Sequence, residues 1–96
     1  MGHDISGYLK ADTEQSNEIA YLRRSAGNPL ARTIYAALRH PEFDAGCSGG
    51  GYEATFTNEY LRDALGRLPD GEDVEPERKF LNDCIAANGD VTITFY

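Results

Sequence analysis

A short glycine-rich stretch holds the residues of this chain that could do nucleophilic chemistry. Residues 46–50, Gly-Cys-Ser-Gly-Gly, fit the G-x-S-x-G pattern, in which a strained turn lifts a serine oxygen clear of a sheet. In that fold a strand runs directly into a helix, and the histidine follows the serine along the chain. Here a predicted helix ends at Pro41 before the stretch, and both histidines, His3 and His40, precede Ser48. The pattern therefore does not predict a serine nucleophile.

A thiol paired with an imidazole is the alternative enzymatic interpretation of the same stretch. Cys47 and His40 are close enough in sequence to share one loop, and a neighbouring histidine can activate a cysteine. No third group that would orient the imidazole is identifiable near them. We keep Cys47 and His40 as catalytic candidates of a small thiol-dependent enzyme or redox protein. The favoured interpretation is that residues 49–51 let the backbone adopt positive φ before the next strand.

Phosphate and metal sites have little support in the sequence. Neither G-x-G-x-x-G nor G-x-x-x-x-G-K-[ST] occurs, and no lysine lies near the glycines. The two cysteines and two histidines show neither C-x-x-C nor H-x-x-x-H spacing. The acidic segment 70–77 lacks the ordered carboxylates of a calcium loop. We predict no metal and no cofactor.

The densest charge in the chain is a run of carboxylates in its C-terminal half. Residues 41–96 carry twelve acidic and four basic side chains, in a chain of net charge −7. Such a field repels nucleic acids and membrane surfaces and speeds encounter with basic partners. Tyr52 joins the predicted partner-binding surface because tyrosine offers a large, stiff contact area with a polar tip. The acidic members of this surface are Asp70, Glu72, Asp73, Glu75 and Glu77.

The spacing of apolar residues predicts three helices. The first begins at Asn28, a suitable N-cap that is followed by proline at the first helical position, and it ends before Pro41. The second follows Thr57 as its cap. The third leaves the acidic segment and closes at Asn88-Gly89, with Cys84 on its buried side.

Alternation of apolar residues predicts three strands and indicates a short fourth. Residues 4–9 and 18–24 form a hairpin with a long polar loop, and residues 91–96 are the strongest strand. Residues 52–56 also alternate. We predict one domain over residues 1–96 with an α+β fold. In this fold about three helices pack on one face of a mainly antiparallel, three- or four-stranded sheet.

Compartment follows from hydropathy and cysteine usage. No apolar run approaches the roughly 20 residues needed to span a bilayer, and the first ten residues lack a basic region followed by an apolar core. Two cysteines, Cys47 and Cys84, do not make a disulfide framework, and reduced thiols suit the cytosol. We expect a cytoplasmic protein.

Four segments resemble a group of short uncharacterised proteins from bacteria and their mobile elements. They are GHDISGY, EIAYLRRSAGNP, AGCSGGG and FLNDC. In size and charge the chain is also similar to small acidic phage inhibitors, including anti-CRISPR proteins. The resemblance implies a bacterial or phage cytosolic origin and supplies no catalytic residue.

The leading hypothesis is a non-enzymatic protein-interaction module. In this hypothesis the module is a phage-type inhibitor that occludes a basic, nucleic-acid-binding surface of a partner protein, without direct contact to nucleic acid or membrane. The alternatives are the thiol-dependent protein centred on Cys47 and a homodimeric structural or adaptor domain.

Overall fold

The chain folds into an α+β structure, as the sequence predicts. A computed structural model describes residues 2–9, 18–25, 31–38 and 52–95, and these contain four strands and three helices. A single 3-10 turn precedes the third helix. The elements are β1 (Gly2–Leu9), β2 (Glu18–Ser25), α1 (Ala31–Leu38), β3 (Tyr52–Phe56), α2 (Asn58–Arg67), the 3-10 turn (Glu72–Val74), α3 (Glu75–Ala86) and β4 (Val91–Phe95).

The four strands form one antiparallel sheet in the order β2-β1-β4-β3. The predicted hairpin is present, because β1 pairs with β2 and places Ile5 opposite Leu22. On its other side β1 pairs with β4, which places Ile5 opposite Phe95. The register of β1 and β2 shifts between Gly7 and Tyr8. Within the described residues, β2 and β3 are therefore the two edge strands.

One face of the sheet meets the apolar sides of all three helices. Alternate residues of β4, Val91, Ile93 and Phe95, are fully buried, as their predicted shared face requires. They belong to one core cluster with apolar residues of the other strands and of the helices. The helical members are Ile34, Tyr35, Ala37, Leu38, Leu61, Ala64, Phe80, Leu81 and Cys84. The predicted packing of the helices on one side of the sheet is confirmed.

Helix α2 begins at the cap that the sequence predicts. The side-chain oxygen of Thr57 accepts a hydrogen bond from the amide of Tyr60 at 3.1 Å, which satisfies one of the unpaired donors of the first turn. Replacing Thr57 with alanine is expected to lower the free energy of unfolding by about 1 kcal/mol. Chemical denaturation measures this loss. Thr57→Ser keeps an acceptor oxygen and should stay close to the wild type; equal losses in both variants would contradict a capping role.

Candidate functional site

The acidic turn, defined here as residues 70–75, connects α2 to α3 and carries exposed carboxylates. Gly71 has a φ of 136°, a conformation that side-chain-bearing residues rarely adopt, so glycine is required at this bend. Val74 is buried and anchors the turn to the body of the protein. The exposed acidic side chains of the turn are Asp70, Glu72, Asp73 and Glu75.

An ion pair between buried Glu77 and partly buried Arg24 attaches the C-terminal end of the acidic turn to strand β2 of the sheet. Arg24 donates from Nε to Oε2 of Glu77 at 2.6 Å and from Nη2 to the other carboxylate oxygen. The same Nη2 donates to the backbone carbonyl of Asp73 at 2.8 Å. The hydrogen bond to Glu77 raises the pKa of Arg24 above its ordinary value. One guanidinium thus holds both the first turn of α3 and the backbone of the acidic turn.

The prediction that Glu77 belongs to the exposed partner-binding surface is wrong. Its side chain is fully buried, and its carboxylate is neutralised by Arg24, whose side chain is 14% exposed. The physical reason is helical periodicity. Glu77 lies three and four residues before Phe80 and Leu81, on the same stripe of α3 that faces the core. That spacing is the sequence signal that identifies it as an inward-facing residue.

Glu75 is exposed, but its charge is offset by a neighbour on the same helix. Arg78, one turn later, forms an ion pair with the Glu75 carboxylate and donates from Nη2 to the carbonyl of Pro69 at 3.2 Å. Of the five predicted carboxylates, three thus remain exposed with no ion pair to a described residue. They are Asp70, Glu72 and Asp73.

The remaining predicted site residues are not tested by the structure. Cys47 and His40 lie outside the described residues. Tyr52 is the first residue of edge strand β3, opposite Phe95, and its side chain also lies outside the described part of the molecule. The other thiol is buried in the core on α3, as predicted, and burial raises the pKa of Cys84 to about 12. Cys84 therefore stays protonated at neutral pH and is no nucleophile.

A second polar cluster, missed by sequence reasoning, caps the end of α1. Arg67 donates from Nε to the carbonyl of Ala37 at 2.8 Å, and the Tyr60 hydroxyl donates to the carbonyl of Leu38. The Arg67 guanidinium lies 5.5 Å from the centre of the Tyr60 ring. The last carbonyls of a helix lack partners within it, and a cation suits its negative end. We assign this cluster to the attachment of α2 to α1.

Within the described ranges, no three or more histidine, cysteine, aspartate or glutamate side chains form a group that could hold a metal ion. Among the same residues, no helix has both the length and the apolar character needed to cross a membrane. No protein-family model matches the chain, and neither a curated protein nor a solved structure matches it.

Proposed function

We propose that the chain is a non-enzymatic binding module that engages a basic surface of another protein through the acidic turn. The observation that carries this proposal is the set of three exposed carboxylates, Asp70, Glu72 and Asp73, which form no ion pair with a described residue. They stand on a backbone anchored by buried Val74 and by the Arg24 hydrogen bond. Because the backbone of the turn is held in place, little backbone conformational entropy remains to be lost on binding.

Charge supports the same role at longer range. The net charge of −7 repels nucleic acids and accelerates encounter with a basic protein surface, and added salt weakens this effect. A basic surface that normally holds nucleic acid is the fitting target, since the module then competes as a polyanion.

Neutralising the three free carboxylates together tests the proposal. The triple variant Asp70→Asn, Glu72→Gln, Asp73→Asn is expected to associate with the partner about tenfold more slowly at low ionic strength. The association rate of the triple variant should also fall less steeply with added salt than that of the wild type. The matched control neutralises three exposed carboxylates elsewhere on the fold: Glu53→Gln, Asp63→Asn and Asp90→Asn.

The partner is first captured from a bacterial extract by the wild-type protein and identified by quantitative mass spectrometry. We expect the triple variant to fail to capture this partner and the control variant to capture it as the wild type does. We also expect the wild-type protein to displace the partner from nucleic acid. The proposal fails if no captured protein distinguishes the two variants. It also fails if the distinguishing protein keeps its nucleic acid in the presence of the module.

A further inference from the structure

We infer that edge strand β2 pairs with β2 of a second copy of this chain, which joins two sheets into one and makes a twofold-symmetric homodimer. The inference rests on the exposed side chains of Tyr21 and Arg23, which lie on either side of Leu22 in the edge strand. The edge lies beside the acidic turn, whose Asp73 carbonyl accepts from Arg24 of β2, but the pairing uses none of the carboxylates of the proposed function and is tested separately from it.

Strand β2 is the longer edge of the described sheet. It has eight residues, against five in β3, and no described strand lies beyond it. The unpaired amides and carbonyls of such an edge form a template for another strand. Tyr21 is 53% exposed, the one large hydrophobic side chain among the described residues to be so exposed, and its hydroxyl donates to the Asp4 carboxylate on β1. The adjacent Arg23 side chain is 64% exposed.

Charge selects β2 over β3 as the self-pairing edge. Two copies of a chain of net charge −7 repel each other, so they can meet only where the local charge is balanced. Near the centre of β2 the charges are balanced, because Arg23 lies 3.7 Å from Asp4 and Arg24 is paired with Glu77. The exposed carboxylate of β2, Glu18, is the first residue of the strand, four residues from Leu22, so in a pairing centred on Leu22 the two copies of Glu18 lie at opposite ends. On β3 the exposed Glu53 has no ion pair to a described residue, and because the strand has only five residues, its self-pairing keeps the two copies of this carboxylate near each other.

The arrangement of side chains along β2 is self-complementary about Leu22. A twofold axis perpendicular to the sheet, midway between the two copies of Leu22, places residues equally distant from Leu22 opposite each other. Tyr21 then faces Arg23 of the second copy, and this contact of a cation with an aromatic ring occurs twice. On the helix side, small Ala20 faces the long Arg24 of the second copy. Leu22 meets its own symmetry mate.

The expected dimer is weak. One strand pair and the helices beside it make an interface at the small end of the range for specific complexes. Sedimentation velocity over a wide range of protein concentration should show a monomer that converts to a dimer in the micromolar range. A monomer at every concentration in that range would overturn the inference.

Charge reversal at the edge tests which surface is used. Arg23→Glu removes both cation–ring contacts and is expected to abolish the dimer. The matched control, Arg62→Glu on the exposed face of α2, changes the net charge equally and should leave the dimer intact. Equal weakening by both variants would show that net charge alone governs association, and a dimer of Arg23→Glu as stable as the wild type would exclude β2.

Disulfide trapping tests the register and is independent of the charge variants. In a Cys47→Ser background, a mixture of the Tyr21→Cys and Arg23→Cys proteins is expected to form a mixed disulfide on oxidation. Directly opposite β-carbons lie about 4.5–5.5 Å apart, close to disulfide reach. Buried Cys84 does not compete, because its thiol stays protonated. A Tyr21→Cys protein that cross-links to itself, or a mixture that gives no cross-link, would overturn this register.

Discussion

Glu77→Ala is expected to lower the free energy of unfolding by about 3–5 kcal/mol, because it leaves the Arg24 guanidinium largely buried without its carboxylate. The loss should be read from chemical denaturation monitored by circular dichroism. Glu77→Gln keeps the shape and one acceptor oxygen, so its loss should be intermediate. Replacing both partners, Arg24→Met with Glu77→Leu, should recover most of the loss, since no uncompensated charge then remains.

The chain contains its own control for this prediction. Glu75 lies two residues earlier and also pairs with an arginine, Arg78, but its side chain is 63% exposed. Glu75→Ala is therefore expected to cost no more than about 1 kcal/mol, as exposed ion pairs do. Equal losses for Glu75→Ala and Glu77→Ala would show that burial of the Arg24–Glu77 pair does not matter for stability.

The second large effect is expected at Gly7, where β1 passes close beneath α3. A β-carbon added at Gly7 would lie 3.0 Å from the Cys84 sulfur and 3.5 Å from a methyl carbon of Val91. Gly7→Val is expected to lower the free energy of unfolding by about 1–3 kcal/mol through overpacking. Cys84→Ala should relieve part of this loss, and a double-mutant cycle measures the coupling between the two positions.

Gly66 on α2 is the matched control for Gly7, because nothing lies within 4 Å of the β-carbon that would be added there. Gly66→Val is expected to change the stability by no more than about 0.5 kcal/mol, since valine and glycine differ little in helix propensity. If Gly7→Val proves as harmless as Gly66→Val, the close approach of α3 to β1 is not a constraint on the fold.

Local elements could be predicted from the sequence because their causes are local. The Thr57 cap needs only a hydroxyl three residues before an unpaired amide, and β4 needs only alternation over five residues. The end of α3 was predicted on the same ground: Asn88, with a φ of 56°, supplies the left-handed residue. The predicted start of α1 at Asn28 lies outside the described residues.

The order of the strands and the ion pair between Arg24 and Glu77 could not be predicted in the same way. The pairing of β1 with β4 joins residues far apart in sequence and leaves no local signal. Closeness in sequence groups the five acidic residues, but it does not distinguish Glu75, which is exposed on α3, from Glu77, which lies on the core-facing side of the same helix. Arg24 follows Ala20 and Leu22 in the inward alternation of β2, which places a cation beneath α3 for Glu77. The alternation of β2 and the periodicity of α3, taken together, indicate that Arg24 and Glu77 face each other.

The central position of β4 in the sheet has a consequence for synthesis on the ribosome. Residues 91–95 fill the gap between β1 and β3, so until they leave the exit tunnel the sheet is split into a hairpin and a lone strand. The helices that emerge earlier then have only part of the apolar surface against which they pack. Completion of the fold therefore waits for the late segment, and a nascent chain stalled before it should be open to proteases and chaperones.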